Sequence, residues 1–316
     1  MKKSLPLSRR AFLGQTAGLG AAGLLASHLS TCRVGATEQA APIDAWQIGC
    51  YTRPWAHLEY RGALDAIAEA GFKYAGLMTT RPPKRLVISA ATTVEEAHEV
   101  GEEVRKRGLT LVSTYGGGIG VAKSLADGIA DMKRLIDACH AAECPSLLMG
   151  GTGNETLFDA YCKAIAETCD YAAENGVAIV IKPHGGLNAT GPQLRKCVKR
   201  VGHENFRLWY DPGNIFFYSE GELDPVDDAA TVDGLVTGMC VKDFTMTIKD
   251  GKPAREVALT PGTGRVDFPA LMARLKRGGF TSGPLVVECL ARSDDPEAVL
   301  AEARKAREFV EQLVSG

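Results

Sequence analysis

Four polar clusters interrupt apolar runs in the second half of the chain: Lys182 with His184, Asp211 with Asn214, Cys240 with Lys242, and Glu288. Two carboxylates facing a cation form a site for a metal, or for a proton transfer next to a carbonyl. Lys182 follows the β-branched run 177–181 and precedes Pro183, which cannot donate to a sheet, so a strand ends there. On extended backbone Lys182 and His184, two residues apart, point to the same side. An ammonium and an imidazole at the end of an apolar strand are costly to bury unless something uses them. Taken singly, each group also fits a local cap or an ion pair, and Asp211-Pro212-Gly213-Asn214 fits a turn. Four successive strand ends carrying such groups are harder to assign to local roles.

The elements that must position them repeat one unit past residue 45: a short apolar strand, a polar loop, an amphipathic helix, then Gly. Strands are expected at 47–51, 74–78, 109–114, 146–150, 177–181, 206–211, 238–243 and 285–288. Gly71, Gly108, Gly176, Gly279 and, in weaker form, Gly202 stand where left-handed helix caps belong. A last helix from about Asp295 carries Val299, Ala303, Ala306, Val310 and Leu313 on one face. Eight strands alternating with helices over about 270 residues is the rhythm of a (β/α)8 TIM barrel. A doubly wound sheet is the runner-up, but no Gly-rich fingerprint follows the first strand. Two stretches, 81–91 and 217–223, lengthen loops after strands, on the side where such barrels place their sites.

These motifs together carry a resemblance. Trp209-Tyr210-Asp211-Pro212-Gly213-Asn214, Val241-Lys242-Asp243, the Gly-rich turn Pro261 to Phe268, and Val286-Val287-Glu288 resemble the xylose-isomerase-like barrels. That is the sugar phosphate isomerase/epimerase group, which shares its fold with endonuclease IV, and the likeness covers about residues 45 to 312. It implies one divalent metal (Mn, Mg or Zn) held by Glu, Asp, His and Glu on strands five to eight. Asp211 and Glu288 match that set, whereas Lys182 stands at the fifth-strand Glu position and Cys240 at the seventh-strand His position.

Charge decides what the substitution means. Three carboxylates with a divalent ion net one negative charge, and so do Lys182, Asp211 and Glu288 with no metal. A divalent ion about 4 Å from an ammonium costs about 8 kcal/mol at an effective dielectric near 20. Lys182 therefore reads as a replacement for the metal. The alternative is that Lys182 swings out and Asp211, Glu288, His184 and Cys240 hold zinc.

The N-terminal segment differs in kind. Lys2, Lys3, Arg9 and Arg10 precede a small apolar stretch, Ala17 to Leu29, too short for a comfortable membrane anchor. Ser8-Arg9-Arg10-Ala11-Phe12-Leu13 resembles a twin-arginine export signal, so residues 1–36 are expected to be signal and linker, residues 45–316 the barrel, and the location periplasmic. Leu29-Ser30-Thr31-Cys32 weakly resembles a lipoprotein box. The 9 Cys show no metal-like spacing and read mostly as small core residues. A composition 45% hydrophobic and 23% charged, with net charge -2 and 6 His, argues against a nucleic-acid surface or a His-rich nuclease.

The resemblance implies an exported sugar isomerase or epimerase acting on a carbohydrate or keto-sugar, with elimination as a further reaction of the same kind. In that reading Glu288 is the base, Asp211 orients hydroxyls and Lys182 stabilises an enolate oxygen. His184, Asn214 and Lys242 are expected to touch the substrate, and Trp209 or Tyr51 to stack on a sugar face. The alternative is a non-catalytic sugar-binding or partner protein that kept the pocket.

Overall fold

A computed structural model describes residues 45–315. The proposed export signal, its Arg pair and Cys32 lie outside these residues. Eight parallel strands close a barrel: β1 (Trp46–Tyr51), β2 (Tyr74–Leu77), β3 (Thr110–Gly117), β4 (Ser146–Met149), β5 (Ala178–Ile181), β6 (Phe206–Tyr210), β7 (Val236–Val241) and β10 (Gly283–Val287). Their order around the barrel is β1-β10-β7-β6-β5-β4-β3-β2. Every strand read from the sequence is present, shifted by a few residues at most.

The intervening β8 (Thr245–Lys249) and β9 (Lys252–Glu256) form an antiparallel hairpin outside the barrel, which the sequence reading did not anticipate. The lengthened loop after β2 lies outside any helix or strand, and the helix Val94–Lys106 then starts on a Thr93/Glu96 capping box. The stretch 217–223 is the end of the short helix Pro212–Tyr218 and the turn after it.

Two cores result. The larger lies between the strands and the surrounding helices, and the C-terminal helix Pro296–Ser315 buries Val299, Ala303, Ala306 and Val310 in it. The smaller fills the barrel with one residue per strand: Tyr51, Met78, Val112, Leu148, Val180, Trp209, Cys240 and Val286. Met78 stands directly after the last residue of β2. The five glycines expected to end helices all have positive φ, from 68° at Gly108 to 99° at Gly279. The eight described cysteines are free and buried, as small core residues should be. Among the described residues no helix is long and apolar enough to cross a membrane.

Candidate active site

The pleat of the strands builds the site. Side chains two apart on a strand share a face, so the residue two beyond each interior position points into the mouth of the barrel. On β5, β6, β7 and β10 these residues are Lys182 above Val180, Asp211 above Trp209, Lys242 above Cys240, and Glu288 above Val286. Each is the first residue after its strand. On β1 the same offset from Tyr51 falls on Arg53, at the start of a short 3-10 turn. These five strands are consecutive in the barrel, in the order β1-β10-β7-β6-β5. The charges along that arc alternate in sign: Arg53, Glu288, Lys242, Asp211, Lys182.

Every neighbouring pair is in contact. Arg53 Nη1 lies 2.5 Å from Glu288 Oε1, and Lys242 Nζ lies 2.6 Å from the same oxygen. Lys242 Nζ is 3.0 Å and Lys182 Nζ 3.1 Å from Asp211 Oδ2. Lys182 also crosses the mouth to pair with Glu288 Oε2. Asn214 completes the set: its backbone N–H donates to Asp211 Oδ1, its Oδ1 accepts from Lys242, and its Nδ2 donates to the Pro183 carbonyl. The close approach is possible because position 213 is Gly, where a Cβ would come 2.7 Å from the Asp243 carbonyl and 2.6 Å from Lys242 Cγ. Asp243, next to Lys242, accepts from the backbone of Phe244, Gly262, Gly264 and Val266, and so ties down the Gly-rich turn.

The four inner groups are buried: Lys182 1%, Asp211 0%, Lys242 2% and Glu288 2% exposed. Burial alone would push the Glu288 pKa up, but the charges of Lys182, Lys242 and Arg53 outweigh it and hold Glu288 well below the usual carboxylate range. Burial likewise opposes the charge on Lys182, yet Glu288 and Asp211 raise its pKa well above the ordinary value. Burial pushes the Cys240 thiol well up, so it stays protonated.

Three potential metal donors, from Asp211, Cys240 and Glu288, come within 4.8 Å of one another. The donor set does not fit a divalent ion. All four carboxylate oxygens already accept hydrogen bonds, three of them from cationic side chains. Two ammoniums, not one, would face the ion, at a cost of about 16 kcal/mol at an effective dielectric near 20. His184 does not join this group as the side chains stand. The sequence-based charge count also changes, because Lys242 and Arg53 belong to the cluster. Three cations and two carboxylates leave one surplus positive charge.

The comparisons match the fold. Residues 64–312 match the xylose isomerase-like TIM barrel family. The chain belongs to this family. Among solved structures, it is similar to a xylose isomerase domain protein from Planctomyces limnophilus, with 20% identity and a TM-score of 0.65 over 85% of this chain and 97% of the other. A xylose isomerase-like TIM barrel protein from Mycobacterium smegmatis, in complex with magnesium, is 17% identical with a TM-score of 0.69 over 85% and 96%. The D-psicose 3-epimerase from Clostridium cellulolyticum H10, with D-tagatose, is 15% identical with a TM-score of 0.64 over 85% and 99%. At these identities the likeness is one of fold. No curated protein matches the chain.

Within this family barrel, several predicted contacts take other positions. Tyr51 and Trp209 are 0% and 1% exposed inside the barrel, Tyr51 donating to Ser113 at 3.0 Å, so neither offers a face to a sugar. Asn214 and Lys242 are spent on the cluster. His184 is exposed at the mouth, its ring centroid 5.8 Å from that of Tyr115 and 6.1 Å from that of Tyr218. Part of the residue faces solvent, but the protein against the rest of its ring, with the Lys182 charge, pulls its pKa down to about 4, so it is neutral at pH 7. Arg53 escaped the sequence reading although its offset from Tyr51 matches that of the other four.

A cleft of about 550 Å³ opens beside the arc, lined by residues following β1 and β10, among them Arg53, His57, Glu288 and Arg292. Of the four buried charged groups, only Glu288 lines it. Arg53, with its side chain 36% exposed, stands between Glu288 and solvent.

Proposed function

We propose that the protein is a sugar isomerase or epimerase that moves a proton next to a carbonyl, with two lysines at the strand ends where the resemblance implies a metal. The observation that carries this reading is the alternating arc of charge at the carboxyl ends of five consecutive strands, where barrels of this kind place their chemistry. One family relative was solved with magnesium and another, an epimerase, with D-tagatose.

In this reading Glu288 is the base, because it is the carboxylate that lines the cleft. Paired with three cations it is a weak base, since proton transfer is most effective when the catalytic pKa lies near the working pH. A substrate oxygen that takes the Arg53 guanidinium from Glu288 would raise its basicity. The same guanidinium would then stabilise negative charge growing on that oxygen. Lys182, Lys242 and Asp211 hold Glu288 in place and keep the site electrically balanced. His184, neutral beside Tyr115 and Tyr218, forms a second wall of the mouth.

The complete burial of Lys182, Asp211 and Lys242 favours a second reading, a sugar-binding protein whose former metal site is now a structural ion cluster. Purified full-length protein incubated with ketoses and aldoses in heavy water separates the two. Exchange of a carbon-bound hydrogen, lost in Glu288→Gln, supports the enzyme. Binding without exchange supports the second reading.

We further propose export through the twin-arginine route, on the strength of Arg9-Arg10 followed by Phe12-Leu13 and an apolar stretch. Arg9→Lys combined with Arg10→Lys should keep the protein in the cytoplasm, and unchanged export of that variant would refute this.

A further inference from the structure

We propose that the cleft beside Glu288 takes a carboxylate-bearing sugar, such as a uronic acid, and that Arg53 is the residue that seats the carboxylate. This rests on the reading of the barrel as a sugar site and names the class of sugar. Lys182, Lys242, Asp211 and Glu288 balance one another. Arg53 is therefore a surplus cation, set against a balanced, buried cluster rather than against a free carboxylate. At the rim Arg292 and Asp294 are both exposed and offset each other. One uncompensated positive charge at the floor of a concave site focuses an attractive potential on an anion.

The geometry selects the kind of anion. The Arg53 guanidinium uses Nη1 on Glu288 and makes no other hydrogen bond among the described residues, while part of the side chain faces the cleft. A guanidinium with a free edge presents parallel N–H donors that match a planar carboxylate in bidentate fashion. A single surplus charge suits a monoanion better than a doubly charged phosphate. The cleft, at about 550 Å³, falls within the roughly 300–1,000 Å³ of small-molecule sites.

Calorimetric titration of the full-length protein with D-glucuronate, D-glucose and D-glucose 6-phosphate tests this at low salt. Glucuronate should bind about tenfold or more tightly than glucose and more tightly than the phosphate, and added salt should erode the preference. Arg53→Gln should bring glucuronate down to the level of glucose in the same variant, so that no preference remains. Arg53→Lys, which keeps the charge but not the fork, should retain part of it and controls for folding. Equal binding of glucuronate and glucose, tighter binding of the phosphate, a preference that survives Arg53→Gln, or no binding of any probe would each overturn the proposal. Hydrogen exchange in heavy water on the same samples keeps this separate from the catalytic reading. Glucuronate bound without exchange leaves this inference standing and removes the enzyme.

Discussion

Lys182 and Glu288 are 106 residues apart in the chain and three strands apart around the barrel, yet the ammonium of one pairs directly with the carboxylate of the other. The bond closes the arc of charge across the mouth, so that each inner group has at least two charged partners, or a charged partner and a backbone donor. A buried pair built this way is costly to break from one side, because the remaining charge cannot reach water.

Removing Lys182 alone should therefore destabilise the fold by about 3–5 kcal/mol. Lys182→Met leaves Asp211 and Glu288 sharing Lys242, with Glu288 Oε2 stripped of its partner. Adding Glu288→Gln should recover part of the loss. Denaturant melts of the two single variants and the double variant measure the coupling, and simple additivity would show that the bond carries nothing.

The cluster also sets a pH plateau. Glu288 is depressed below its ordinary value of 4.5, so its contribution is present above that value and fades as pH falls toward the folded pKa. Lys182 is raised above 10.5, so its contribution is present below that value and fades as pH climbs past it. Melting temperature should stay level on this account between 4.5 and 10.5 and drop on both sides. Glu288→Gln should lower the melt at pH 7 and flatten the acid drop, and an unchanged acid limb would count against the ion pairs.

His184 supplies an independent check on the field of the cluster. With a pKa near 4 it should stay neutral through the range where an ordinary imidazole charges. Its ring resonances should titrate near pH 4 by NMR and move upward in Lys182→Met. A midpoint near 6.5 in the wild-type protein would mean that neither the protein around the ring nor the ammonium holds it neutral.

Two helices bring the thiols of Cys162 and Cys197 to 3.7 Å, both buried. Two equivalents of a one-electron oxidant such as copper(II)–phenanthroline should take one electron and one proton from each thiol and join them first, leaving copper(I). Peptide mapping that finds another pair, with these two still reduced, would contradict the packing of their helices.

The fold was legible because its signals are local. Each strand is an apolar run of the right length, and each glycine stop marks a backbone of positive φ. The hairpin of β8 and β9 was overlooked although Asp250-Gly251 marks its turn, because the repeating rhythm led the reading to expect a helix after every strand. Lys182, Asp211, Lys242 and Glu288 stood out as charges ending apolar runs. Their partners did not, since pairing between β5 and β10 is set by closure of the barrel. Arg53 was hidden by an aromatic strand end that looked like the contact residue itself. Trp209 and Tyr51 show the reverse error: an aromatic beside a polar strand end was taken for a stacking face, whereas the pleat turns it into the barrel.

The last prediction concerns metal. Purified wild-type protein should carry well under one equivalent of tightly bound divalent ion, since two ammoniums and a guanidinium already occupy the carboxylates. Lys182→Glu supplies the fifth-strand carboxylate that the resemblance implies, but it leaves Lys242 on both Asp211 and Glu288, so metal binding should be only weak. Adding Lys242→Gln leaves three carboxylates facing one guanidinium, and a divalent cation then becomes the natural counter-charge. The double variant should melt lower with chelator and regain stability with manganese or zinc, because a ligand bound only by the folded state stabilises it by mass action. Cys240→His on that background tests whether the interior position two residues below Lys242 can contribute a donor. The Cys240 thiol already lies within 4.8 Å of Asp211 and Glu288 donors, but a larger imidazole must fit in the filled barrel core there, so the gain should be small. Elemental analysis beside paired melts decides the matter. A stoichiometric ion retained by the wild-type protein and displaced only by chelation would show that the lysines move aside, and would return Asp211 and Glu288 to the role of metal ligands.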